Sequence, residues 1–149
     1  MFAGCAGYTA EPLHVRSGAK IAVPVFKNQT HWRDVEFDLT DAVSKELRSR
    51  TDYKLTQTKD ADLVMTGNIL GYTQPVVSEG SADQVKEGSV KAVVHIQVKD
   101  LRTGKMIIDR QLEGSAAFVL SRGESESTAR AEAFEDLAEN IMNLFEKRW

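Results

Sequence analysis

From Val90 to Leu101 the side chains alternate: Ala92, Val94, Ile96 and Val98 point one way, Val93, His95, Gln97 and Lys99 the other. A sustained period of two predicts a strand with one apolar face and one largely polar face. Such a strand needs a cover on its apolar side. The last part of the chain supplies one. From about Ser125 to Lys147, Phe134, Leu137, Ala138, Ile141, Met142 and Phe145 form one helical stripe, with Ala129 and Ala131 near its start. Burying each of the five large side chains is worth about 1.5–3 kcal/mol. Ordering each residue costs about 1–2 kcal/mol in backbone entropy, so this helix is stable only against the sheet.

A second helix is predicted from about Asp34 to Arg50, where Val35, Leu39, Ala42, Val43 and Leu47 share one face. Asp34 is placed to cap its first turn, and Arg48 and Arg50 suit the negative end of its dipole. Lys20 to Phe26 reads as a buried strand, with an irregularity expected at Pro24, which has no N–H for a ladder. Tyr53 to Gln57 is a short strand, and Asp62 to Tyr72 a longer one. Gly67 and Gly71 are expected on one face of that strand, marking a bulge or a group packed closely over the backbone. Thr73 to Ser89 is polar and reads as the longest loop, the best candidate for disorder. Asp100 to Lys105 is a hairpin turn in which Gly104 can take positive φ, and Met106 to Phe118 returns antiparallel. The order β-α-β-β-β-β-α predicts one α+β domain: two helices packed on one face of a mostly antiparallel (mixed) sheet of four to five strands.

With nineteen basic and twenty-two acidic side chains and a formal charge of −3, broad electrostatic binding to nucleic acid is disfavoured. A single cysteine excludes an intramolecular disulfide. No run approaches the length of a membrane-spanning helix.

Catalytic signals are sparse. His14, His31 and His95 share no ligand spacing, so no metal site and no cofactor are expected. Asp60-Ala61-Asp62 reads as turn formers rather than a cation site. No phosphate loop, dinucleotide glycine pattern or nucleophile elbow is present. A hydrolase would need a Ser or Asp clustered with His95 in three dimensions. Asn28-Gln29-Thr30 matches a glycosylation sequon but is better explained as turn chemistry. Trp32, between His31 and Arg33 in a polar loop, is either a contact residue for a partner or a staple folded onto the helix entrance. Arg102 and Lys105 flank the hairpin tip, where they either meet phosphate or are simply solvated.

Phe2-Ala3-Gly4-Cys5 has the pattern of a bacterial lipoprotein processing box: a large apolar residue, two small ones, then the cysteine that receives lipid. The competing reading is an ordinary thiol after small residues. On the lipoprotein reading, residues 1–4 are a signal-peptide remnant, 5–19 a lipidated tether and 20–149 a single α+β domain. The basic and apolar regions of a complete signal do not precede Met1.

Four further segments carry a family likeness. Cys5-Ala6-Gly7-Tyr8 resembles the cysteine-glycine-tyrosine start of the mature LptE lipopolysaccharide-assembly lipoproteins. The run Ile21 to Thr30 looks like that family's first strand and turn, including Pro24 and the Asn28-x-Thr30 pattern. Val35-Glu36 and Leu39-Thr40, then Ala42 and Leu47, are similar to the start of its first helix, and Ala61 to Gly67 to its "ADxxxxG" strand. The likeness runs from Cys5 to about Leu70. It departs at the extra Ala6 and at the polar loop from Thr73 to Ser89. The resemblance implies a non-enzymatic outer-membrane lipoprotein facing the periplasm and anchored by an acylated Cys5, since Ala6 in place of aspartate favours the outer membrane. It implies lipopolysaccharide as ligand and a β-barrel lipopolysaccharide translocon, LptD-like, as the partner that the chain plugs and helps assemble. A lipoprotein activator of a cell-wall synthase, or a secretion-pore subunit, shares a similar first strand and helix and stands as the alternative.

Overall fold

The computed structural model describes residues 18–74 and 87–146. Its elements are β1 (Lys20–Ala22), β2 (Lys27–Asn28), α1 (Val35–Arg50), β3 (Lys54–Leu55), β4 (Leu63–Thr73), β5 (Glu87–Asp100), β6 (Met106–Val119) and α2 (Glu126–Glu146). The sheet has six strands in the order β3-β1-β4-β5-β6, with β2 also paired to β4. Both helices cover one face. There Val90, Ala92, Val94, Ile96 and Val98 of β5 meet Leu39, Val43 and Leu47 of α1 and Phe134, Leu137, Ile141 and Met142 of α2 in one core.

The expected α+β class is found, but the sheet is larger and more mixed than expected. The pairings β1·β3, β1·β4 and β2·β4 are parallel, and only β4·β5 and β5·β6 are antiparallel. The physical reason is the position of α1. A helix between two strands returns the chain to the end where the first strand began, so β3 must run parallel to β1.

Pro24 divides the expected first strand in two. Ala22 pairs with Val64 and Lys27 with Asn68, so five steps on one side match four on the other and one residue is extra. Phe26 then folds into the core. Its amide donates to Thr40 Oγ1 at 3.0 Å, and its ring lies over Gly67, where an added Cβ would sit 2.6 Å from it. Gly67 is therefore the glycine required by close packing. Gly71 is not on the same face. The β4·β5 register shifts between Ile69 and Gly71, leaving Leu70 as the extra residue and turning Gly71 away from the core.

Other differences are local. Asp34 takes a left-handed conformation (φ 66°) and makes no side-chain cap; its carbonyl oxygen instead accepts the Phe37 and Asp38 amides, each at 3.1 Å. Glu36 and Asp38 supply the negative charge in that first turn. Ser125 does cap α2, its Oγ accepting the Thr128 amide at 3.2 Å. Thr73 and Glu87–Ser89, read as loop, extend β4 and β5; Gln74 follows β4, and residues 75–86 lie outside the described residues. The expected positive φ at Gly104 is present (72°).

Candidate functional site

The turn after β2 is organised by one side chain. Asn28 Oδ1 accepts from the Thr30 amide at 2.8 Å and the Thr30 hydroxyl at 2.7 Å. Its Nδ2 donates to the Trp32 carbonyl at 2.6 Å and to Glu36 Oε2 at 2.9 Å. The Asn-x-Thr pattern is thus a structural clamp between the turn and α1. It sets Trp32 edge-on to Tyr72, with ring centroids 5.2 Å apart, and Tyr72 in turn meets Phe134 at 6.0 Å.

This row of rings runs from solvent to core: Trp32 is 39% exposed, Tyr72 5% and Phe134 1%. The Trp32 ring packs on Tyr72 of β4 and keeps part of its surface in solvent. Polar groups ring the Tyr72 hydroxyl. Gln74 donates to it at 2.9 Å, and Arg130, which also bonds it, is ion-paired to Asp38 across the two helices. Burial pushes the Tyr72 pKa up, partly opposed by Gln74 and Arg130. Burial would lower that of Arg130, but the hydrogen bond and charge of Asp38 outweigh it and hold the guanidinium protonated. Behind this pair a groove of about 440 Å³ runs between α1 and α2, lined in part by Ala42, Lys45, Ala131 and Phe134. Sequence reasoning missed Arg130 and Asp38, whose pairing spans ninety-two positions.

The uncovered face of the sheet carries His95. Its Nε2 lies 2.5 Å from Asp109 Oδ1 on β6, and Gln97 Nε2 donates to Asp109 Oδ2 at 3.4 Å. The hydrogen bond from His95, then that from Gln97, holds the Asp109 carboxyl below the usual range. His95 is therefore not alone, but the pair has an orienting carboxylate without a nucleophile: among the described residues, no hydroxyl or thiol is hydrogen-bonded to it. His95 lines a hollow of about 340 Å³ together with Pro24, Val25, Lys27, Asn68 and Gln97. Asp60 and Asp62 do not converge. Asp62 Oδ2 accepts the Lys20 amide at 3.1 Å, joining β4 to β1, and no cluster able to hold a metal occurs among the described residues.

Arg102 and Lys105 lie at the opposite end from Trp32. Leu63 pairs with Asp100 and Tyr72 with Ala92, a separation of roughly 30 Å along β4 at about 3.3 Å per residue. The buried Asp100 builds the hairpin, its Oδ1 accepting the Arg102 amide at 2.8 Å and the Thr103 amide at 3.3 Å. The tip is tied to the neighbouring strand by the Leu101 amide, which donates to the Asp62 carbonyl at 2.9 Å. Around this rigid turn Leu101, Arg102, Lys105 and Met106 are exposed. Cys5 lies outside the described residues.

The sequence profile of the lipopolysaccharide-assembly family LptE matches residues 19–145. The chain belongs to the LptE lipopolysaccharide-assembly family. That match takes in every strand, all of α1 and all of α2 but its last residue. Solved structures share the LptE-like fold at low sequence identity. The hypothetical protein CT253 from Chlamydia trachomatis superposes with a TM-score of 0.63 at 16% identity, covering 87% of this chain and 96% of that one. The rare lipoprotein B from Shewanella oneidensis gives 0.56 at 15%, covering 86% and 94%. A minor lipoprotein from Acinetobacter baumannii gives 0.55 at 19%, covering 87% and 93%. No curated protein matches the chain by sequence. No helix among the described residues is long and apolar enough to cross a membrane.

Proposed function

We propose that this LptE-family chain is a non-enzymatic lipoprotein on the periplasmic face of the outer membrane. Acylated at Cys5, it binds lipopolysaccharide and serves as plug and assembly partner of a β-barrel lipopolysaccharide translocon. The observation that carries this reading is the family match over residues 19–145, all but the first and last of the described span. The site is compatible with it: Trp32 keeps part of a braced aromatic ring in solvent, where a partner can reach it. Several acyl chains on one cysteine would give lasting attachment where a single chain gives only marginal binding.

The test is purification of the acylated protein in mild detergent. A β-barrel partner should co-purify, and depletion should lower lipopolysaccharide at the cell surface. Capture of a cell-wall synthase in place of a barrel, with surface lipopolysaccharide unchanged on depletion, would overturn this reading in favour of the alternative class.

A further inference from the structure

We propose that the free edge of β6, from Gln111 to Ala117, takes an added strand from the partner protein: an extended segment with apolar residues toward the helices and a lysine or arginine on the open face. The proposal rests on the barrel-partner reading and names the part of this chain that holds the partner.

The two sides of the sheet differ. One ends in β2 and β3, two residues each, too short to template another strand. The other ends in β6, which has fourteen residues. From Gly114 to Val119 it carries neither charge nor Pro, the devices that usually blunt an edge.

The hairpin fixes which backbone groups of β6 face outward. The Leu101 amide turns to β4, donating to the Asp62 carbonyl, while the Asp100 amide turns to the other side and donates to the Lys105 carbonyl. Backbone groups alternate in direction along an antiparallel pair, so the even-numbered residues of β5 face β6. Their register partners Leu112, Gly114 and Ala116 face back, and the odd-numbered residues of β6 turn outward. Two side chains agree with this phase. Arg110 Nη1 donates to the Asp109 carbonyl at 3.0 Å, and Glu124 Oε2 accepts the Val119 amide at 2.7 Å. These contacts close the two ends of the edge. Between them, no hydrogen bond from the described residues reaches the outward backbone groups of Gln111, Glu113, Ser115 and Ala117.

The faces of β6 define what the segment carries. Toward the helices, Leu112, Ala116 and Phe118 are only partly buried against the core, and apolar side chains on an added strand complete their cover. On the open face, Glu113 Oε2 meets Lys91 Nζ of β5 at 3.0 Å, which leaves Oε1 for a cation from the outer side. Asp109 is held by His95 and Gln97, Arg110 is turned over the Asp109 carbonyl, and the covering helix α2 adds exposed Glu132 and Asp136. Lys105 and Arg122 lie beyond the two ends of the strand. A second copy meets this acidic balance with its own. A two-fold pairing centred on Gly114 makes the two Glu113 side chains diagonal neighbours, and one centred on Gln111 sets Asp109 opposite Glu113. A strand already closed into a barrel has no edge to offer, so the segment is a loop or terminal extension of the barrel protein.

The experiment compares residue-resolved hydrogen exchange in the free protein and in the acylated protein co-purified with its barrel. In the free protein the amides of Gln111, Glu113, Ser115 and Ala117 should exchange fast, and those of Leu112, Gly114 and Ala116 slowly. In the complex all of them should be slow. Ser115→Pro removes only an outward amide, which an edge strand tolerates. It should stay folded by circular dichroism and capture the barrel about tenfold more weakly. Ser115→Ala keeps the amide and should capture it like the parent. The exchange result decides whether or not the proline protein folds. Outward amides that stay fast in the complex, a folded Ser115→Pro protein that captures like the parent, or equal weakening by alanine and proline would overturn the proposal. So would a dimer of the purified protein that Ser115→Pro abolishes, which would make the occupant a second copy. A captured cell-wall synthase that slows the same outward amides would sink the barrel reading alone, and a parent that captures no protein would overturn both.

Discussion

Gly114 of β6 lies so close beneath α2 that a Cβ at this position would sit 2.6 Å from Leu137 Cγ and 2.7 Å from the Ala133 carbonyl oxygen. One of these neighbours is a side chain that can move; the other is helix backbone and cannot move alone. Gly114→Ala should therefore lift α2 from the sheet, at about 1–3 kcal/mol as for other overpacking changes. Urea denaturation of Gly114→Ala and of Gly114→Ala/Leu137→Ala should both show a loss relative to their Gly114 parents. Full rescue by Leu137→Ala would show that the carbonyl contact is not limiting.

Thr40 joins α1 to the split strand, accepting the buried Phe26 amide at 3.0 Å while donating to the Glu36 carbonyl at 2.6 Å. Thr40→Val keeps the shape and leaves that amide without a partner. A loss of about 1–3 kcal/mol is expected, and Thr40→Ser should recover most of it. Equal stability of the valine and serine proteins in denaturant titrations would contradict the role assigned to this hydroxyl.

Tyr53 packs on Phe145 with centroids 5.9 Å apart, and its pKa is pushed up to about 12, by burial first and by the charge of Asp52 second. The folded protein thus holds the phenol proton more tightly than the unfolded chain, where tyrosine titrates near pH 10. This contribution is complete below about pH 10 and is lost as pH rises toward 12. The difference in stability between the parent and Tyr53→Phe should be constant below that window and narrow across it. A pH-independent difference in thermal melts would remove the assignment.

Along the row of rings, stability and contact should separate. Tyr72→Ala removes a nearly buried ring and should cost about 3–5 kcal/mol. Trp32→Ala removes a ring 39% exposed and should be much milder. If Trp32 is a partner contact, its alanine variant should stay folded and still weaken co-purification of the barrel, at least tenfold for a loss above about 1.4 kcal/mol. Unaltered capture by a folded Trp32→Ala protein would assign Trp32 to packing alone.

The long elements were legible because their burial is periodic. The strand through Ala92, Val94, Ile96 and Val98 and the stripe through Phe134, Leu137 and Ile141 declare their faces, and the break at Pro24 follows from a missing N–H. What was not legible is pairing. β2 and β3 have two residues each, too few to show any period, so the parallel half of the sheet went unread. Leu70 cannot be known as a bulge without β5 beside it, and the phase of Gly71 reverses with it. Gly114, Asp109 and Arg130 act on partners from other elements, and nothing near them in the chain marks those partners. Asp34 looked like a cap by type, but its left-handed backbone turns the side chain to no such use.

The ring of Phe26 lying over Gly67 has a consequence for how sequences of this kind can drift. These two residues stand in separate segments, Ile21 to Thr30 and Ala61 to Gly67, each carrying part of the family likeness. In three dimensions they fill one volume, because a Cβ at 67 would fall 2.6 Å from the ring. Position 67 is not free while Phe26 is held. A larger residue at 67 is compatible only with a smaller one at 26, whereas a smaller residue at 26 beside Gly67 meets no clash and leaves a cavity. The two stretches form one shared steric constraint that chain order happens to write in two places.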